Sequence, residues 1–268
     1  MATGFPIIFG VSKLWTPDQT PTDLWLDAAD ASTITLNGST VSQWNDKSGN
    51  ARHFSQSTAT SQPGYSTNQL NGYPILTFDG TDDFLDGGNI LPATNSISVW
   101  IIARQNTIST TSSAPYLGRM NSAIADGNYL VRGQLSSQTN LSFAQMRTSV
   151  ATYSANITGT PNSNWTLVGM RYSSTDNQLQ SLRNGSSSTA VATSGTAADP
   201  GIACRIAARS AGTINYLHVD VAEIVVLLSA PAALVAPRPQ IEGYLSWKYG
   251  LQGNLPATHP YKNSPPTI

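Results

Sequence analysis

Cysteine and charge are both scarce in this 268-residue chain. Its single cysteine, Cys204, cannot form an intrachain disulfide, so packing must stabilise the fold. Only 11% of the residues are charged, and the formal net charge is -1. A nucleic-acid-binding protein needs a basic surface to neutralise phosphates. We therefore expect no nucleic acid among the partners.

Signals for export and for membrane insertion are also missing. No basic residue precedes Lys13, and the apolar run between Phe5 and Val11 is interrupted by Pro6 and Gly10, which is unlike a signal peptide. No segment approaches the roughly 18 apolar residues of a membrane span. We expect a protein that is made in a cytoplasm and has no membrane partner.

Short β-type segments separated by turn residues fill most of the chain. The longest apolar β run of the first half is residues 97–103, and Asn184-Gly185 lies between two runs as a hairpin turn would. One helix is predicted over residues 239–249, because Pro239 suits a first helical turn and Gly250 a C-terminal cap. The pattern predicts an all-β fold, a two-sheet antiparallel β-sandwich (jelly roll) with one short C-terminal helix. The expected strands are 24–27, 41–44, 53–54, 97–103, 115–118, 129–132, 141–146, 165–172, 179–183, 189–192, 202–208 and 216–228.

Residues 75–88 are dense in aspartate and predict a hairpin with an acidic tip. Two short strands would be joined by the turn of residues 79–82, with Phe78 and Phe84 as core anchors. The domain prediction has three parts: an extended N-terminal arm (1–22), the sandwich (23–236), and a short helix with a Pro-rich tail (237–268) that belongs to the same domain. The arm and the tail are natural contacts with neighbouring subunits in a homo-oligomer.

Several segments together resemble the laminin-G-like, concanavalin A-like jelly-roll superfamily. They are LWLDAADASTIT, VSQWNDKSGNARHF, FDGTDDFLD, NWTLVGMRYSSTDNQLQSLRNGSSS and VDVAEIVVLLS, and the ending IEGYLSWKYGLQGNLPATHPYKNSPP is similar to that of members found in tailed-phage and bacterial proteins. The resemblance implies a sandwich that binds glycans or proteins, sometimes with calcium. In phages it implies virion parts such as decoration proteins and tail fibres.

Glutamate is too rare for the hydrolases that share this fold. They use two carboxylates, normally glutamates close together on one strand. This chain has only Glu223 and Glu242, and the odd spacing of Asp220 and Glu223 predicts opposite faces of a strand. We expect no enzymatic activity and no catalytic residues.

Two kinds of binding residue remain as candidates. Calcium prefers six to eight oxygen ligands, and the cluster Asp79, Asp82 and Asp83 could supply some of them, although the same aspartates could simply bind turn amides. No other cofactor is expected. Glycan binding needs exposed aromatic rings beside polar groups, although tyrosines in sandwiches are often half-buried. The glycan-binding candidates are Tyr65, Tyr73, Tyr116 and Tyr153.

A charge-poor sandwich without disulfides or an export signal fits a virion component. We predict a non-enzymatic phage structural protein, either a capsid decoration protein or a tail-fibre component. It would be made in the host cytoplasm, would contact other capsid or tail subunits, and could bind host surface glycans. The alternative is a carbohydrate-binding module of a bacterial surface protein.

Overall fold

A computed structural model of the chain describes residues 13–92, 96–108, 114–120, 127–133, 139–199, 201–210, 215–228 and 237–268. These residues contain 18 β-strands, one α-helix and short 3-10 turns. The elements are β1 (Leu24–Asp27), β2 (Ile34–Asn37), β3 (Thr40–Trp44), β4 (Phe54–Ser55), β5 (Gly64–Leu70), β6 (Tyr73–Asp79), β7 (Leu85–Asp86), β8 (Ser96–Gln105), β9 (Leu117–Met120), β10 (Gly127–Arg132), β11 (Asn140–Arg147), β12 (Thr152–Thr158), β13 (Thr166–Ser173), β14 (Gln178–Arg183), β15 (Ser186–Ser187), β16 (Val191–Ala192), β17 (Arg205–Ile206), β18 (His218–Leu227) and α1 (Arg238–Lys248).

The strands form two facing layers of one nearly closed antiparallel sheet. One layer runs β6–β18–β8–β13–β14, with β1 beside the second half of β18. The other runs β4–β7–β17–β9–β10–β11–β12, and β3 connects the layers through β4 and β5. This architecture confirms the predicted all-β sandwich with one short C-terminal helix.

The hydrophobic side chains separate into two cores. The inner core lies between the layers and includes Val99, Ile101 and Val226 from one layer and Leu117 and Val131 from the other. The helix-side core lies under α1 on the outer face of the first layer. Its members include Trp25, Trp100, Ile102, Val225, Ile241 and Leu245.

Strand β8 is apolar throughout because both of its faces are covered. Val99 and Ile101 point into the inner core, whereas Trp100 and Ile102 lie under α1. Its neighbour β13 must approach it closely at Gly169, where an added Cβ would lie 2.0 Å from the carbonyl oxygen of Val99. The predicted central strand is therefore confirmed, and its side chains contribute to both cores.

The predicted hairpin over residues 75–88 is wrong. Strand β6 ends at Asp79, but β7 pairs with β4 and β17 instead of β6. Both edges of β6 are already occupied, since β5 pairs with one edge and β18 with the other. Phe78 is fully buried as predicted. Phe84, predicted as a core anchor, is only half-buried and packs against Arg205 and Tyr216.

Four strands were not expected from the sequence: β2, β5, β12 and β15. Strands β5 and β15 carry no alternation of apolar residues, whereas β2 and β12 do alternate apolar and polar residues but are mostly exposed or only partly buried. The Asn184-Gly185 hairpin is confirmed, with both residues at positive φ and β14 pairing with β15 and β16. The predicted helix is also confirmed within one residue at each end.

The ends of the described chain lie against each other. Leu14 forms a β-bridge with Thr267, and the Trp15 amide donates to the Pro266 carbonyl at 3.0 Å. Residues 1–12 of the predicted arm lie outside the described residues. Among the residues that are described, no helix has the length and apolar character needed to cross a membrane.

Candidate ligand-binding site

An open, largely apolar cavity of about 420 Å³ lies where four segments meet. They are residues 14–16, the start of β6 with the turn before it, the last turns of α1, and the tail at 265–266. Its size lies within the range of about 300–1,000 Å³ typical of small-molecule sites. The cavity is lined by Leu14, Trp15, Thr16, Asn71, Tyr73, Tyr244, Trp247, Lys248, Pro265 and Pro266.

The turn between β5 and β6 places Tyr73 at the rim of the cavity. Asn71 and Gly72 both adopt positive φ, a conformation that asparagine and glycine tolerate, and the chain reverses there. The Asn71 side-chain amide donates to the Lys248 carbonyl at 2.9 Å, which fastens the turn to the end of α1. Tyr73 remains 37% exposed, so part of its ring can be reached from solvent.

Aromatic side chains hold one another in place behind the rim. Tyr73 meets Tyr249 edge to face, with ring centroids 5.7 Å apart. Tyr244 meets Trp15 at 6.3 Å and Trp25 at 6.4 Å in similar geometry. These contacts fix the aromatic walls before any ligand arrives.

A buried ionic network forms the support beneath the cavity. The Lys248 ammonium donates to Asp27 at 2.7 Å, to Glu223 at 2.6 Å and to the Tyr244 hydroxyl at 3.1 Å. Glu223 also accepts from the Trp25 indole at 2.7 Å and from the Tyr249 hydroxyl at 2.8 Å. The network ties β1, β18 and α1 together.

Burial and the charges of neighbouring groups together set the ionisation of this network. Burial raises the pKa of Glu223, and the nearby Lys248 ammonium opposes that rise. The pKa of Lys248 is itself raised, because attraction to Glu223 and Asp27 outweighs the effect of burial. Burial likewise raises the pKa of Tyr244, with a smaller contribution from the Glu223 charge. The tyrosine therefore stays neutral.

The prediction that Asp220 and Glu223 lie on opposite faces of their strand is wrong, because β18 contains a β-bulge between them. The pairing of β18 with β8 shifts register between Val221 and Glu223, which inserts one residue. Val221 and Ile224 both point into the inner core, so Asp220 and Glu223 both point outward. Their partners nevertheless differ. Asp220 binds Arg104, whereas Glu223 belongs to the network of Lys248.

The four tyrosines predicted to bind glycans are not brought together. Tyr65 donates its hydroxyl to the Ala28 carbonyl at 3.0 Å, and Tyr153 shares a 2.8 Å hydrogen bond with the Ser194 hydroxyl. The prediction that Tyr116 is an exposed glycan-binding residue is corrected by the structure. Tyr116 is 3% exposed and packs in the inner core, so its ring offers no face to a sugar. Tyr73 alone among the four lines the aromatic cavity.

The three aspartates predicted to bind calcium do lie together. One carboxylate oxygen from each of Asp79, Asp82 and Asp83 lies within 4.8 Å of the others. Turn hydrogen bonds occupy part of the cluster, since Asp79 accepts from the Thr81 amide at 2.7 Å and Asp83 from the Asp79 amide at 2.9 Å. Burial, reinforced by the charges of Asp79 and Asp82, raises the pKa of Asp83 to about 6. The donor set is suitable for calcium, and calcium binding stays a prediction.

Most of the cavity residues were not predicted from the sequence. Tyr244 and Lys248 lie on α1, whose prediction rested on Pro239 and Gly250 and assigned no binding role to the helix. Trp15 belongs to a segment without periodicity. The sequence signal was the density of aromatic residues in YLSWKY (244–249), which only the folded chain brings together with Trp15.

Comparisons with known proteins show the fold. No protein-family model matches the sequence, and no curated protein matches it significantly. The binding domain of Paraclostridial Mosquitocidal Protein 1 is similar with a TM-score of 0.56 and 7% identity, over 82% of this chain and 52% of that one. A Trypanosoma rangeli sialidase in complex with sialic acid gives 0.51 and 13%, over 89% of this chain and 36% of that one. A Ruminococcus gnavus carbohydrate-binding module, CBM40, bound to α2,3-sialyllactose gives 0.43 and 11%, over 53% of this chain and 80% of that one. This chain thus spans about half of the first protein and about a third of the second.

Proposed function

We propose that this chain is a non-enzymatic carbohydrate-binding module and that its ligand stacks on Tyr73 in the aromatic cavity. The proposal rests on one observation above all: a partly exposed tyrosine ring at the rim of an open cavity that is also lined by the rings of Trp15, Tyr244 and Trp247. Aromatic rings bind the apolar face of a sugar and leave the sugar hydroxyls for neighbouring polar groups.

Polar groups suitable for those hydroxyls stand beside the ring. The side-chain carbonyl of Asn71 can accept a hydrogen bond, since its amide nitrogen makes the contact to Lys248. Tyr73 and Thr16 contribute hydroxyls to the same lining. The combination of fixed rings and a few polar groups is typical of a carbohydrate site rather than of a wholly apolar pocket.

A glycan array with matched tyrosine variants tests the proposal. Tyr73→Ala should remove binding, and Tyr73→Phe should retain most of it because the ring that stacks is kept. Tyr153→Ala is the control, since that tyrosine lies outside the cavity lining. Unchanged binding by a folded Tyr73→Ala protein would overturn the proposal. Loss of glycan binding in Tyr153→Ala alone would indicate a site at Tyr153 instead of the cavity.

The virion role predicted from the sequence is compatible with glycan binding and stays a prediction. Mass spectrometry of purified particles, with copy number, tests it. Many copies per particle would indicate a capsid decoration protein, a few would indicate a tail fibre, and absence would contradict the virion role and leave the bacterial surface module.

A further inference from the structure

The cavity contains one charged residue in its lining, Lys248. Carboxylate-bearing ligands are normally held by a cation that has hydrogen-bond donors to spare. Whether Lys248 can serve in this way decides the class of sugar that the cavity accepts.

The hydrogen-bonding capacity of Lys248 is already filled. An ammonium group has three donors. They are accounted for by Asp27, Glu223 and Tyr244 at 2.7, 2.6 and 3.1 Å. A ligand carboxylate would have to displace a buried carboxylate of the protein, which would leave that charge without its partner.

The charge balance around Lys248 gives no attraction for an anion either. Two carboxylates, Asp27 and Glu223, face this ammonium. The second cation of the network, Lys47, lies over the Trp25 ring and binds Asp27 and Asp30. Three carboxylates thus face two ammonium groups. The sum is one negative charge with Glu223 ionised and zero with Glu223 protonated, so no positive charge is left over.

The remaining polar groups of the lining suit hydroxyls. The side chains of Thr16, Asn71 and Tyr73 are uncharged. The Thr16 hydroxyl already donates to Asp18 and can accept, and the Asn71 and Tyr73 side chains can each donate or accept hydrogen bonds. Sugar hydroxyls also do both, so the two sets are complementary without any ionic contact.

We propose that the cavity selects uncharged sugars and discriminates against sugars that carry a carboxylate, such as sialic acid. This inference rests on the proposed function, because it assigns the ligand class of the same cavity. It also separates this chain from its structural neighbour, the sialidase solved with sialic acid. A shared fold is no guide to the charge of the ligand.

A glycan array printed with neutral oligosaccharides and their sialylated counterparts, probed with the full chain at pH 7, tests the inference. We expect binding among the neutral members, about tenfold weaker or no binding to counterparts whose sialic acid must enter the cavity, and little change between low and high salt. Preference for the sialylated members would overturn the charge inference and leave carbohydrate binding intact. Binding to no member of either set would overturn the proposed function and this inference with it.

A gain-of-function variant provides the second measurement. Leu14 lines the rim and is 57% exposed, so Leu14→Lys adds a cation with free donors at little cost to folding. It should strengthen binding of the sialylated counterparts and leave the neutral ligands nearly unchanged. Leu14→Gln is the uncharged control. Equal responses of both ligand sets to Leu14→Lys would contradict the inference.

Discussion

The Lys248 ammonium lies 2.6 Å from the carboxylate of Glu223, a side chain with no exposed surface. The two residues belong to α1 and β18, so the contact fastens the helix to the sandwich. It also occupies a hydrogen-bond donor of Lys248, the one cation in the lining of the aromatic cavity. A single ion pair therefore serves both the stability of the fold and the chemistry of the candidate site.

Removing the cation should destabilise the protein strongly. In Lys248→Met, Glu223 and Asp27 lose their shared partner, and a buried charge left unpaired costs about 3–5 kcal/mol. Urea unfolding at pH 7 measures the loss. The double variant Lys248→Met/Glu223→Gln should recover part of it, because the unpaired carboxylate is gone. A loss below about 1 kcal/mol would show that the network contributes little.

Two buried tyrosines allow the effect of a buried hydroxyl on stability to be compared with and without a hydrogen-bond partner. Tyr249→Phe removes the 2.8 Å hydrogen bond to Glu223 and should cost about 1–3 kcal/mol. Tyr172→Phe should be neutral or stabilising, since the buried hydroxyl of Tyr172 has no hydrogen-bond partner among the described residues. Thermal unfolding of both variants checks the difference, and equal losses would contradict it.

Close approach of two central strands makes Gly169 irreplaceable. A Cβ at this position would lie 2.0 Å from the Val99 carbonyl oxygen, so Gly169→Ala should cost about 3 kcal/mol or more, or prevent folding. Gly253→Ala is the control, because its added Cβ meets nothing within 4 Å. Soluble yield and denaturant unfolding compare the two. A stable Gly169→Ala protein would show that β8 and β13 can separate without penalty.

Asp83 should make stability depend on pH between about 4 and 6. Burial raises its pKa to about 6 from the ordinary 3.8, so the folded state binds the proton more tightly than the unfolded chain does. Its contribution is fully present below about pH 4 and is lost as the pH rises through about 6. Asp83→Asn should therefore be more stable than the wild type at pH 7, on the order of 1 kcal/mol after allowance for solvent screening. The advantage should vanish near pH 4, and an advantage that is the same at both values would contradict this assignment.

Calcium gives the same cluster a second test. If Asp79, Asp82 and Asp83 bind the ion, calcium raises the melting temperature of the wild type relative to chelator, because a ligand that binds only the folded state stabilises it. Asp83→Asn should reduce that rise. An unchanged melting temperature of the wild type would contradict calcium binding by this cluster.

Local sequence patterns predicted much of the fold. The apolar run of β8, the Asn184-Gly185 turn and the Pro239 and Gly250 signals of α1 each arise from interactions between residues close in sequence. The hairpin over residues 75–88 was wrong for the opposite reason. Its pairing depended on whether β5 and β18 already occupied the edges of β6, and those strands lie elsewhere in the chain.

In the candidate site, too, local sequence patterns predicted some features, and others depended on residues distant in the chain. Tyr73 was named from the sequence because it stands among polar residues, but the same reasoning selected the buried Tyr116. Exposure depends on which strands cover a residue, and no local pattern reports it. The bulge at Ala222, which turns Asp220 and Glu223 to one face, is likewise absent from the spacing of the sequence.

The sequence by itself thus determined the kind of protein: an all-β sandwich rich in turns, poor in charge, and closed by one helix. Only the tertiary structure decided where the aromatic cavity lies and what charge it presents. Trp15, Tyr73 and Lys248 are distant along the chain, and Lys248 meets both Asp27 and Glu223 only when α1 lies over β1 and β18. The order of strands is set by the free energy of burying both cores together, which belongs to the whole fold and to no single segment.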